Sequence, residues 1–208
     1  MQTVKFRKLA DGDREDYEFL EACEIAYAEQ VGERLLGTLE KLETAMSGFQ
    51  VTRLEHCLQT ATRAWRDGAD TDWIVSALLH DVGDIHSPYD HDEYAALILR
   101  PFVREQCSWT VKQHGDFQKF FYAVQMGQDP NVREQYRDNP YFDDCATFCE
   151  RWDQRAFDPK YKSLPLDFFR PFVATVFGRA PYDKTVIQSG GRVPLVDRSR
   201  AQARLQAA

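Results

Sequence analysis

The chain has 208 residues, 43% of them hydrophobic and 13% aromatic, enough to fill one full-sized core and too apolar for a disordered segment. A formal charge of −7 argues against a nucleic-acid partner, because phosphate backbones are held by clustered Lys and Arg. No stretch approaches the ~20 apolar residues of a membrane span, and no signal peptide is read at the N-terminus, so the expected setting is the cytoplasm, with no membrane partner.

Taken in order, the pattern predicts helices almost throughout. Residues 13–28 and 31–46 carry periodic apolar positions (Tyr17, Leu20, Ile25; then Leu35, Leu36, Leu39, Leu42), with a break near Gly32. Residues 51–66 place Val51, Leu54, Cys57, Leu58, Ala61 and Trp65 on one side and stop at Gly68. Asp70 or Thr71 caps a very apolar helix, Trp73 to Leu79, that delivers His80-Asp81 to its end. After a loop at Gly83 and Ser87-Pro88, helices are expected over about 90–104, from a Ser108 cap to Gln125, briefly after Pro130, over 140–156 and over 166–177. No alternating runs bounded by tight-turn pairs announce a sheet. The expected fold is all-α: two N-terminal helices (1–50) packed on a bundle (51–180), with a surface tail (181–208) partly ordered against a second copy in a homo-oligomer.

The cysteines, Cys23, Cys57, Cys107, Cys145 and Cys149, are odd in number and contain no Cys-x-x-Cys pair, which argues against disulfides and zinc ribbons. Cys145 and Cys149 share a helix face and read as small buried residues. The histidines are more informative. Four of five, with two aspartates, fall as His56, the pair His80-Asp81, His91, His114 and Asp153. Imidazole and carboxylate suit divalent and trivalent metals, and a carboxylate can bridge two cations, which a histidine cannot. His86 is left over in the loop. Glu55, Asp90, Asp92 and Asp116 flank these positions and are candidates to orient imidazoles, although Asp90 and Asp92 fit a helix start equally well.

Leu78-Leu79-His80-Asp81-Val82-Gly83 resembles the motif of the HD-domain superfamily. That resemblance implies an HD-domain helical bundle in which His56, His80, Asp81 and Asp153 hold one metal, Asp81 bridges, and His91 with His114 complete a second site. Most HD proteins are phosphohydrolases, in which such a centre activates water and clamps phosphoryl oxygens. The stretch Arg53 to Ala61, followed by Gly68-Ala69-Asp70 and Ala77 to Asp81, together with Trp152-Asp153, is similar instead to the mixed-valent diiron oxygenases. These include myo-inositol oxygenase and the hydroxyphosphonate oxygenases. Val51 to Asp84 and Phe148 to Pro159 look closer still to the oxygenases of (R)-1-hydroxy-2-(trimethylammonio)ethylphosphonate.

This resemblance implies two iron ions, Fe(II)/Fe(III), with O2 and a small phosphonate as partners and C–P bond cleavage as the reaction. The aminoethylphosphonate relative has histidine where this chain has Asp84, lysine where it has Gln118, and arginine where it has Glu150. Asp84, Gln118, Arg151 and Phe49 are therefore the expected substrate contacts. Phe49, Trp73, Tyr89, Tyr94, Phe117, Phe121, Tyr122 and Trp152 are available to face a quaternary ammonium, for which aromatic faces are the natural partner. Lys112, Lys119, Arg151, Arg155 and Lys162 are the candidate cations for the phosphonate end.

Overall fold

The computed structural model describes residues 2–207, and among them every regular element is helical. We label the α-helices α1 (Arg14–Ala28), α2 (Val31–Lys41), α3 (Arg53–Arg66), α4 (Thr71–Leu79), α5 (His91–Leu99), α6 (Glu105–Tyr122), α7 (Phe142–Phe148), α8 (Leu166–Phe177) and α9 (Arg198–Ala207). No helix is long and apolar enough to cross a membrane.

The organising element is α4. Every residue from Trp73 to Leu79 is buried, because α3, α6 and α8 pack around it. A helix apolar on all sides belongs at the centre of a bundle. Its start is fixed by Asp70, whose side chain accepts from the Trp73 amide at 3.1 Å. Each fully buried Leu or Ile here contributes roughly 1.5–3 kcal/mol of hydrophobic stabilisation. Helix α3 begins with a reciprocal cap: Thr52 accepts from the Glu55 amide, and Glu55 accepts from the Thr52 amide at 2.9 Å. Glu55 is therefore occupied at the helix start and orients no imidazole.

Several boundaries differ from expectation. Helix α5 stops at Leu99 and not near residue 104, since Pro101 lacks the amide proton that would continue the helical hydrogen bonds. Helix α6 begins at Glu105, three residues before the expected Ser108 cap. The Arg104 amide donates to Asp72 Oδ2 at 3.1 Å, and its guanidinium reaches Asp70 at 2.7 Å, so the chain is pinned before it coils. The helix expected over 140–156 is shorter and changes winding: α7 passes at Cys149 into a π turn, Cys149–Asp153. Asp90 makes no capping bond, whereas Asp92 accepts from the Glu93 amide at 2.8 Å. At the N-terminus α2 buries Leu35, Leu36 and Leu39, but α1 leaves Tyr17 and Ile25 exposed.

The expected surface tail also behaves otherwise. Residues 192–196 lie across the chain's own bundle. The Val193 carbonyl accepts from Trp73 Nε1 at 3.1 Å, and its amide donates to Gln106 Oε1 at 2.9 Å. Leu195 is buried, and α9 then runs along α3. The approach is close: a Cβ on Gly68, which sits at a φ of +79°, would collide with the Asp197 carbonyl. Of the cysteines, Cys57, Cys107, Cys145 and Cys149 are buried thiols and Cys23 is exposed.

Candidate metal centre

Helix packing around α4 brings six separated residues to one point. His56 comes from the first turn of α3, His80 and Asp81 follow α4, His91 opens α5, His114 lies mid-way along α6, and Asp153 ends the π turn. His56, His80, His114, Asp81 and Asp153 are almost wholly buried, and the His91 side chain is 25% exposed. His86 is exposed, near Tyr94, and takes no part.

The orientation of the rings follows from backbone carbonyls. His56 Nδ1 donates to the Ala156 carbonyl at 3.1 Å, His80 Nδ1 to Ala77 at 2.9 Å, and His114 Nδ1 to Val111 at 2.6 Å. A carbonyl only accepts, so each Nδ1 carries a proton, and in the neutral ring it is Nε2 that presents its lone pair inward. Around that interior, Asp81 divides its oxygens. Oδ2 lies 3.2 Å from His56 Nε2 and 3.3 Å from His80 Nε2, whereas Oδ1 lies 3.2 Å from His114 Nε2 and 3.4 Å from His91 Nε2. Asp153 Oδ1 is 3.3 Å from His56 Nε2 and 3.5 Å from His80 Nε2, yet this buried atom has no hydrogen-bond partner. Ligand atoms that converge on a common point from separate helices are suited to a cation at that point.

Electrostatics agree. His56 Nε2 and His80 Nε2 stand 3.0 Å apart, so two lone pairs would face each other unless a positive charge separates them. Burial alone would lower the His80 pKa, but the Asp81 and Asp153 carboxylates that face its Nε2 outweigh it and push it up to about 10. Burial would raise the Asp81 and Asp153 pKa values; instead the neighbouring histidines, with Arg53 at Asp81, hold both well below the usual carboxylate range. The proton that His80 keeps stands where a divalent cation would serve. Three overlapping groups meet the requirement for metal binding: His56, His80 and Asp81; His80, His114 and Asp153; and Asp81, His91 and His114.

Residues 53–139 match the HD domain family. The all-α architecture is consistent with an HD-domain helical bundle, and HD domains are generally metal-dependent enzymes. The chain carries a buried His/Asp cluster that could hold metal ions. Asp153 lies beyond the matched segment, and the π turn brings it back. No curated protein matches the chain.

Beside the cluster lies a cavity of about 470 Å³ bordered by Phe49, Arg53, Gln118, Phe121, Tyr122, Gln154 and Phe157. Three of these touch the cluster directly. Gln118 Nε2 donates to Asp153 Oδ2 at 2.5 Å, Phe157 stacks on His56 with centroids 4.3 Å apart, and the Arg53 guanidinium bonds Asp81. Arg53 also donates from Nε to Asp84 Oδ2 at 2.6 Å and lies 5.8 Å above the Phe49 ring. Asp84 Oδ1 is 3.7 Å from His91 Nδ1.

The expected substrate contacts are thus sorted. Phe49 and Gln118 border the cavity, and Asp84 stands behind Arg53. Arg151 does not reach the cavity: it is clamped by Asp67 Oδ2 at 2.9 Å on another face, because the π turn directs Asp153 inward and Arg151 outward. Lys112 pairs with Glu93 and Lys119 with Asp116, and neither borders the cavity. Asp116 also accepts from Tyr136 and is spent there, not on an imidazole. Of the aromatics, Phe49, Phe121 and Tyr122 face the cavity; Trp73, Phe117 and Trp152 are core, and Tyr89 is 97% exposed.

Sequence reasoning missed Arg53 and Phe157. A signal for Arg53 existed. An arginine in the first turn of a helix opposes the helix dipole, and so calls for carboxylates nearby. Nothing in the local pattern marks Phe157.

Proposed function

We propose that this chain is a non-heme diiron oxygenase that cleaves the C–P bond of a 1-hydroxyphosphonate. The substrate is (R)-1-hydroxy-2-(trimethylammonio)ethylphosphonate, which one O2 converts into glycine betaine and phosphate. The observation that carries the reading is the division of the Asp81 oxygens between two sets of imidazoles, beside an aromatic cavity edged by one arginine. His56, His80, Asp81 and Asp153 would hold one iron, and Asp81, His91 and His114 the other. A mixed-valent pair bound there supplies Lewis acidity toward hydroxyl and phosphonate oxygens and the one-electron capacity that dioxygen chemistry requires.

The chain's own residues do the rest. Backbone carbonyls of Ala156, Ala77 and Val111 hold three imidazoles in the tautomer that leaves Nε2 free. Gln118 engages one oxygen of Asp153 and leaves the other to the cluster. Arg53 offsets the charge of Asp81 and Asp84 and offers the cavity its one guanidinium, suited to a phosphonate oxygen. The rings of Phe49, Phe121, Tyr122 and Phe157 exclude water and provide the faces that a trimethylammonium, having no N–H to donate, requires.

The match to the HD domain favours a second reading, a metal-dependent phosphohydrolase. One experiment separates the two. Protein loaded with iron under anaerobic conditions is given the hydroxyphosphonate, and O2 uptake, phosphate release and the electron paramagnetic resonance signal are followed. The oxygenase consumes one O2 per phosphate and shows a mixed-valent signal perturbed by substrate. Phosphate release from simple phosphate esters with Mn or Mg, without O2, would replace it with hydrolysis.

A further inference from the structure

A second cavity, of about 230 Å³, shares no bordering residue with the aromatic one. Arg63 and Arg66 reach it from α3, and Arg151 and Arg155 from the segment that carries Asp153. Two carboxylates, Asp67 and Glu150, accompany these four guanidiniums. Asp67 is already committed: its Oδ2 accepts from Arg151 Nε at 3.0 Å, Arg151 Nη2 at 2.9 Å and Trp152 Nε1 at 2.8 Å.

Arg63 and Arg66 are held in place without being neutralised. Arg63 lies 4.0 Å over the Tyr161 ring and Arg66 lies 4.9 Å from its centroid. Arg63 Nη2 donates to the Arg155 carbonyl at 2.8 Å, and Arg66 Nη2 to the Lys162 carbonyl at 2.9 Å. A carbonyl carries no net charge, so these bonds set position only. Arg63 Nε is buried with no hydrogen-bond partner, and the Arg155 side chain makes no ion pair or hydrogen bond among the described residues. Burial, with Arg155 beside it, pushes the Arg63 guanidinium below its ordinary pKa. In a chain of net charge −7, four guanidiniums beside two carboxylates, one of them already committed to Arg151 and Trp152, leave an excess of positive charge that suits an anion.

We propose that this cavity binds the phosphoryl group of a small phosphorylated metabolite, with Arg63, Arg66 and Arg155 as its ligands. The proposal is independent of the metal chemistry. Guanidinium groups pair with phosphoryl oxygens in two-pronged geometry, and a doubly charged group matches several converging cations better than a carboxylate does. The volume suits a phosphoryl or pyrophosphoryl group, and Arg63 already covers the Tyr161 face on which a base would stack. One small cluster on an acidic chain does not provide the extended basic track that a nucleic acid needs.

Isothermal titration of pyrophosphate into the full-length protein, at fixed ionic strength, tests this. Saturable binding is expected, weakened at least tenfold by Arg155→Gln and by Arg63→Gln, and unchanged by Lys184→Gln, an exposed position that borders neither cavity. Arg155 is exposed and unpaired, so its variant keeps the fold even if Arg63→Gln does not. Absence of saturable binding overturns the proposal, as does binding that survives Arg155→Gln but is lost in Lys184→Gln. Preference for a single-stranded oligonucleotide over pyrophosphate, with steep salt dependence, overturns it in favour of nucleic acid.

Discussion

At the scale of single residues, the centre is governed by which atoms are left without partners. Gln118 secures Asp153 through one oxygen only, so its removal frees the carboxylate to turn. Gln118→Leu is expected to weaken metal affinity by roughly 10–100-fold, the usual effect of losing a group that steadies a ligand; a competitive chelator titration measures it, and an unchanged affinity would contradict the role given to Gln118. Protons provide a second handle. A His80 pKa near 10 means that the metal-free protein keeps that proton at neutral pH, so metal uptake at pH 7 should release it, as a pH indicator would register.

The same shift has a fixed sign for stability. Because the folded value lies above the ordinary 6.5, the contribution of His80 is fully present below pH 6.5 and is lost as pH rises through about 10. Asp81 and Asp153 act oppositely: their folded values are depressed, so their contribution is present above the ordinary 3.8 and disappears as pH falls below it. Chemical denaturation of the metal-free protein between pH 3 and 10 should therefore show stability lost at both ends.

Among elements, the junctions decide more than the helices do. The turn after His80-Asp81 presses on the start of α5, where a Cβ on Gly83 would sit 2.7 Å from His91 Cα. Gly83→Ala should push α5 outward, carry His91 away from Asp81 Oδ1, and cost about 1–3 kcal/mol of overpacking. One bound metal ion per chain in place of two, by elemental analysis, is the expected outcome.

Junctions are also where the sequence was hardest to read. The periodic cores of α3, α4 and α8 and the convergence of His56, His80, Asp81, His91, His114 and Asp153 were legible, because spacing and residue type carry that information. The π turn was not: no residue between Cys149 and Asp153 announces an extra residue per turn, and that turn is what separates the directions of Arg151 and Asp153. Arg53 was overlooked because its partners, Asp81 and Asp84, lie about thirty residues away and meet it only through packing.

The whole molecule is closed by its C-terminal segment. Residues 183–208 lack periodicity, so their docking could not be read locally; it depends on Trp73, Gln106 and Asp144 offering partners. Ending the chain before Gly190 would leave Trp73 Nε1 and Gln106 without Val193 and remove buried Leu195. A loss on the order of 3 kcal/mol follows from one uncovered leucine site and the unsatisfied donors. Urea unfolding of the shortened and full chains measures it, and equal midpoints would show that the strap is decorative.

Asp67 ties these scales together. Its carbonyl accepts the Asp197 amide at 2.9 Å, while its carboxylate accepts from Arg151 and Trp152, the residues immediately before Asp153. A single aspartate thus rivets the segment leading into α9 to the wall of the candidate metal centre. Tugging at the C-terminus should be felt at the ligands, and whatever grips α9 gains leverage over the chemistry.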